Sequence, residues 1–197
     1  MLKVALVGNI ASGKSQVEKI LSSLGYCVVD TDKINHSILN SDIEAIQEIK
    51  DAFLDVDILD DLNHISREKL GKVVFSDNLK RKKLENILHK RINERVQQFF
   101  IENRTEEIVF VSIPLLFETS QQNDYNKIIF ISADEDIRLK RLIARNNYSI
   151  EYAKKRIESQ QNEVEKIKKS DFVIYNNSDL VNLENQVKNI LKKLISH

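Results

Sequence analysis

The stretch Val4-Ala5-Leu6-Val7-Gly8-Asn9-Ile10-Ala11-Ser12-Gly13-Lys14-Ser15 decides the fold. A short apolar run enters a glycine, and a second glycine precedes Lys14 and Ser15. The stripe Val17, Ile20, Leu21 and Leu24 follows at helical spacing. Residues 8–15 match the P-loop pattern G-x-x-x-x-G-K-[ST] in its required setting, after a strand and before a helix. Each residue type has a reason. Gly8 and Gly13 let the backbone turn tightly and approach phosphates. Successive N–H groups make an anion nest, and the helix start adds its positive dipole end. The backbone and side chains of Gly8, Ala11, Ser12, Gly13, Lys14, Ser15 and Gln16 are therefore expected around a nucleotide. Lys14 would reach the β- and γ-phosphates, and Ser15 would offer its hydroxyl to Mg²⁺. ATP and Mg²⁺ are the expected cofactors.

Outward from the loop, further β-branched runs read as buried strands: Tyr26–Val29, Ile108–Ile113, Lys127–Ile131 and Phe172–Tyr175, with Lys3–Val7 as the first. Helical stripes lie between them. Leu84, Ile87, Leu88, Ile92, Val96 and Phe99 mark a long charged helix, and Leu180 to Leu194 a C-terminal one. Gly25 is placed to end the first helix in a left-handed cap. Alternation of strands and helices predicts an α/β P-loop kinase fold. It has a parallel sheet of about five strands covered by helices on both faces. The gap after the second strand is too long for one crossover. It reads as a helical substrate-binding insertion at about 32–105 inside a single domain spanning 1–197. A second helical stretch, about 138–168 and broken at Asn146 and Asn147, reads as a two-helix lid.

Composition narrows the partners. The chain has 197 residues, 42% hydrophobic and 30% charged, enough to bury a core. The formal net charge is zero, so no global basic field invites nucleic acid or an anionic membrane. The charge is uneven: 42–61 is acidic, while 80–104 and 138–169 are basic. The basic regions read as solvated helix faces or as local sites for a small anion. Cys27 is the only cysteine, which fits a reducing compartment. With no secretory pattern and no apolar stretch of bilayer length, the expectation is a cytoplasmic protein, monomeric or weakly homo-oligomeric.

Asp30-Thr31-Asp32 directly follows the second strand. In open α/β sheets ligands bind beyond the strands' carboxyl ends. One carboxylate there can take a proton from an attacking hydroxyl, and the other can serve Mg²⁺ through water. Either could instead be a helix N-cap. After Ile131 comes Ser-Ala-Asp-Glu-Asp, a helix start and not a guanine-reading element. That favours a kinase over a GTPase-type switch. Arg138, Arg141, Arg145 and Arg156 follow in the lid stretch. They are either cations for the triphosphate or partners of Glu151 and Glu158.

Taken together, these residues resemble the dephospho-coenzyme A kinase family. The resemblance covers nearly the whole chain. It runs through the P-loop, Val29-Asp30-Thr31-Asp32, Arg67 with Leu70, Val74 and Phe75, and Leu88-His89. It continues in Pro114-Leu115-Leu116-Phe117-Glu118, in Arg145, Ser149, Glu151, Ala153, Arg156, Ile157 and Gln160, and in Asp171, Val173, Ile174 and Asn176. It implies ATP-dependent phosphorylation of the ribose 3′-hydroxyl of dephospho-coenzyme A. Asp32 is implied as the base, and Arg141, Arg145 and Asn176 near the nucleotide. Arg67 and His89 are implied on the substrate side. Another P-loop nucleotide or small-metabolite kinase would use the same fold with a different acceptor. The sequence departs from the family pattern at Asn9, Gln16, Lys90, Ser112 and Ser178. Ser112 stands where an acidic residue often precedes Pro-Leu-Leu-Phe-Glu.

Overall fold

The computed structural model describes residues 1–160 and 162–196. In chain order the elements begin with β1 (Leu2–Gly8), α1 (Lys14–Ser23) and β2 (Cys27–Asp30). Four helices follow: α2 (Thr31–Ser41), α3 (Ile43–Ala52), α4 (Arg67–Ser76) and α5 (Asn78–Glu102). Then come β3 (Ile108–Ser112), β4 (Lys127–Ser132), α6 (Glu135–Asn146), α7 (Ile150–Glu158), α8 (Glu163–Lys168), β5 (Phe172–Tyr175) and α9 (Leu180–Ile195). The chain divides into two compact units: Met1–Val29 with Asn103–His197, and Asp30–Glu102.

The first unit is built on the sheet, whose strand order is β2-β3-β1-β4-β5. β1 pairs in parallel with β3, Leu6 opposite Ser112, and with β4, Gly8 opposite Ile131. β4 pairs in parallel with β5. Val4 through Val7 are all fully buried, so β1 is covered on both faces. That is why these strands read as continuous apolar runs and not as alternating ones. On one face Val4, Leu6, Ile108, Phe110, Ile129, Ile131 and Ile174 pack against α1 and α9. The stripes Val17, Ile20, Leu21 and Leu183, Val187, Ile190, Leu191, Leu194 supply that cover. α1 ends as its sequence requires: Gly25 has φ 89. Tyr26 N–H bonds back to Leu21 O at 3.1 Å, and Gly25 N–H to Ser22 O at 3.1 Å, a Schellman cap.

The second unit packs α2 to α5 around Ile38, Ala45, Ile49, Phe53, Ile58, Leu70, Ile87 and Leu88. Asp30, Asp42 and Ser66 cap α2, α3 and α4 through their side-chain oxygens. On α5 the deepest residue of the last turns is Phe100; Phe99 is only partly buried, one position off the expected stripe. The acidic and basic runs of this unit meet each other. Arg91 bonds Glu44 at 3.0 Å and Glu48 at 3.2 Å, Arg95 bonds Asp42 at 3.0 Å, and Lys80 bonds Asp55 at 2.6 Å. Several cations expected for a small anion are thus already neutralised by the protein.

The helical stretch after β4 is three helices, not two. Asn147, at φ 54, breaks α6 from α7 as the sequence suggested. α8 is separate from α7, and the Asn162 side chain caps it by accepting from Val164 N–H at 2.9 Å. A six-residue helix carries too little periodicity to be read from sequence. No helix among the described residues is long and apolar enough to cross a membrane.

Candidate active site

The P-loop leaves β1 at Gly8, where any Cβ would meet Ser12 Oγ at 2.5 Å and Ile131 O at 2.9 Å. Ser12 N–H turns back to Asn9 O at 3.1 Å. Ala11 at φ 60 and Gly13 at φ 98 both take left-handed backbone, which curls the loop into a nest of N–H groups. Helix α1 opens directly from it. The N–H groups of Lys14 and Ser15 lie in the first turn, where no intrahelical acceptor exists. Gln16 N–H returns to Gly13 O at 2.9 Å. Ser15 is exposed at the helix mouth. The Ser12 side chain is buried, and its hydroxyl has no hydrogen-bond partner among the described residues.

Two residues far along the chain hold this loop. Asn176, just past β5, donates Nδ2 to Ser12 O at 2.8 Å. Arg141 on α6 donates Nη1 to Ser12 O at 3.3 Å and Nη2 to Asn176 O at 3.0 Å. The expected nucleotide residues Arg141 and Asn176 are therefore joined to each other and to the P-loop. Arg145 is not; it is exposed, with Nε on Asn146 Oδ1 at 2.9 Å. Arg156 is likewise exposed. Arg138 is buried and pairs with Glu163 at 3.5 Å, so it is neither a free lid cation nor a partner of Glu151 or Glu158.

Other contacts were not visible in the sequence. Ile10 N–H donates to Gln160 Oε1 at 2.8 Å. The buried Asn9 side chain donates to Glu163 Oε2 at 3.1 Å and accepts from Lys166 Nζ at 3.3 Å. Lys166 also donates to Glu118 Oε1 at 2.7 Å, and Ser132 Oγ donates to Glu163 Oε1. Thus the departure at Asn9 has a local cause: its amide spends both ends on α8. Ile10 and Ala11 meanwhile pack against Leu142, Ala153 and Ile157 of α6 and α7. The sequence signals for this brace were Gln160, Glu118, Ala153 and Ile157 in the family motifs and the departure at Asn9.

Lys14 lies at the centre of the site. Its Nζ donates to Glu18 Oε1 at 3.1 Å and to Ser112 Oγ, and Ser112 Oγ donates to the same Glu18 oxygen at 2.5 Å. Glu18 was not singled out by the sequence, because a lone acid beside Val17 on a helix looks like solvated surface. Its spacing of four from Lys14 was the available signal.

In the second unit, Asp30 accepts from Asp32 N–H at 2.9 Å and is the N-cap of α2. Asp32 is exposed in the first turn of that helix. His36 and Asn40 follow it at steps of four, on the same face. Arg67 meets that face: its Nη1 donates to His36 Nδ1 at 2.7 Å, and its Nη2 to His36 O at 3.3 Å and Asn40 Oδ1 at 3.3 Å. Arginine has no acceptor, so His36 Nδ1 is the accepting atom of this bond. His89 is exposed on α5, and no hydrogen bond among the described residues joins it to Arg67.

The chain as a whole is similar to proteins of one family. A family model described as dephospho-CoA kinase matches residues 2–182. A dephospho-CoA kinase of Listeria monocytogenes serotype 4b is 36% identical over 198 residues, 98% of either chain. One of Fusobacterium nucleatum is 37% identical over 185 residues, 94% of either chain. The solved dephospho-CoA kinase from Campylobacter jejuni superposes with a TM-score of 0.75 at 32% identity, over 98% of this chain and 96% of that one. Shikimate kinase from Bacteroides thetaiotaomicron, 14% identical with a TM-score of 0.52, shares the fold alone. The chain belongs to the dephospho-CoA kinase family.

Proposed function

We propose that this protein transfers the γ-phosphate of ATP to the ribose 3′-hydroxyl of dephospho-coenzyme A, giving coenzyme A. The observation that carries the proposal is the loop at residues 8–15, clasped at Ser12 O by Arg141 and Asn176, in a chain of this family. The nest N–H groups and Lys14 would bind the phosphates. Phosphoryl transfer needs mainly positioning and charge stabilisation, which fixed N–H groups and an ammonium supply. Arg141 and Asn176 fix the loop's shape, and Arg145 would reach the nucleotide from the next turn of α6. Asp32 would take the proton of the attacking hydroxyl. Arg67 and His89 would hold the coenzyme's anionic part.

Mg²⁺ fits the donor chemistry present. This ion usually keeps several waters and takes one or two protein oxygens beside the phosphates. Ser15 offers an exposed hydroxyl at the helix mouth, and the Glu18 carboxylate lies one helical turn further on. Ser15, with Glu18 behind it, would hold Mg²⁺ there, and the ion would supply positive charge to offset the charge that develops during phosphoryl transfer. We further propose that residues 32–105 form the substrate-binding insertion and 138–168 the lid of one kinase domain. The protein would work in the cytoplasm as a monomer or weak homo-oligomer, without nucleic acid.

The test is product mass from purified protein with ATP and Mg²⁺, with and without dephospho-coenzyme A. One phosphate gained on the ribose, only when that acceptor is present, is the expected result. ATP consumption that ignores this acceptor would overturn the substrate assignment and direct the search to other hydroxyl acceptors.

A further inference from the structure

We infer that Glu18 carries the acidic group of the phosphate and Mg²⁺ site, as a positioning residue acting from α1 through Lys14 and Ser112. The inference rests on the nucleotide reading above and deepens it. P-loop enzymes place a carboxylate at the end of a strand in the P-loop sheet to serve the metal. Here β1 is flanked by β3 and β4; β3 ends at Ser112, which cannot be that acid, and Asp30, the acid that ends β2, spends its carboxylate capping α2. The acid arrives from the helix instead.

Glu18 is only 5% exposed, on the buried side of α1 beside Val17, Ile20 and Leu21. A carboxylate in such a place needs polar partners. The partners described are the P-loop ammonium and the hydroxyl ending β3. They form a closed triangle: Lys14 donates to Glu18 Oε1 and to Ser112 Oγ, and Ser112 Oγ donates to Glu18 Oε1. Ser112 is fully buried and fixed by the sheet, with Ile113 N–H on Leu6 O at 2.9 Å. When Lys14 turns to the phosphates, the Ser112 bond still holds the carboxylate at the mouth of the P-loop. A helix residue thus puts a negative charge where the strand lacks one.

The test reads metal-dependent nucleotide binding, separate from turnover. The ratio of the Kd for a non-hydrolysable ATP analogue in EDTA to that in Mg²⁺ is measured by calorimetry. Glu18→Gln keeps shape and hydrogen bonding, and the ratio should fall about tenfold toward unity, as loss of a charged partner predicts. Glu18→Ala combined with Ser112→Asp returns a carboxylate to β3 and should recover most of the ratio. Thermal melting verifies that each variant is folded. A full ratio in Glu18→Gln, or no recovery in the folded double variant, overturns the role of Glu18 alone. No metal dependence in the unsubstituted protein overturns the Mg²⁺ reading as a whole.

Discussion

At the scale of single side chains, the two acids after β2 stand in different surroundings. Asp30 and Asp32 are both acids after β2, yet Asp30 spends its carboxylate capping α2. Asp32 is exposed at the same helix start. Asp32→Asn should therefore lower turnover by about 10²-fold, the usual scale for losing a general base. Asp30→Asn should leave turnover near normal, since Asn caps well, while Asp30→Ala should cost about 1 kcal/mol of stability. Steady-state rates and melts of the three variants decide it. Lost activity in Asp30→Asn with normal activity in Asp32→Asn would reverse the assignment. Gly13 makes a second case. Its φ of 98 and the 2.0 Å between a would-be Cβ and Asn176 Nδ2 leave no room for a side chain. Gly13→Ala must strain the backbone by about 1–2 kcal/mol and push Asn176 off Ser12. Analogue affinity should fall about tenfold or more, as happens when a preorganised anion site loses its geometry. Unchanged calorimetric affinity would refute that.

Among the elements, capping and cross-helix charge explain how the second unit holds its shape. Asp42 accepts from Ala45 N–H at 3.1 Å and faces Arg95. Its carboxyl is held below the usual range, first by that N–H and then by Arg95. A depressed folded value means the stabilisation is complete above the unfolded value, near pH 4, and is lost as pH falls through the folded one. Urea denaturation should find Asp42→Ala about 1 kcal/mol less stable than the parent at pH 6, the scale of a lost N-cap. At pH 3 the gap should shrink; an equal gap at both pH values would contradict the charge-based account. In the first unit, Gln160 and α8 are anchored to the P-loop: Gln160, Glu163 and Lys166 all bond to Asn9 or Ile10. The stretch expected as a lid therefore has its C-terminal part fastened to the P-loop, and its break at Asn147 is left-handed.

For the molecule as a whole, the sheet is the frame that brings Gly8, Ser112, Ser132 and Asn176 to the carboxyl ends of their strands. That frame depends on apolar burial on both faces. Phe130, fully buried in β4, stands opposite Val7 on one side and Val173 on the other. Phe130→Ala should cost about 3–5 kcal/mol, from lost transfer energy plus a cavity. Against a typical stability of about 5–15 kcal/mol, such a loss is severe. Chemical denaturation measures it, and a cost below about 1 kcal/mol would mean the sheet relaxes around the hole.

The sequence by itself determined the strand-loop-helix at residues 3–24, the parallel α/β class and the family, because each rests on local rules. Gly8 and Gly13 report backbone geometry, Gly25 reports a helix end, and continuous apolar runs report strands buried on both faces. Acids after β2 were legible, since strand ends are local too. Tertiary structure alone decided that Ser112 and Glu18 meet, 94 residues apart, and that Asn9 reaches Glu163, 154 residues on. It alone seated Arg138 against Glu163 while leaving Arg145 exposed, although both lie on α6. The physical reason is the same each time. A polar side chain's partner is set by which strands and helices become neighbours. That follows from burying the apolar faces together, and no periodicity around a single charged residue encodes it.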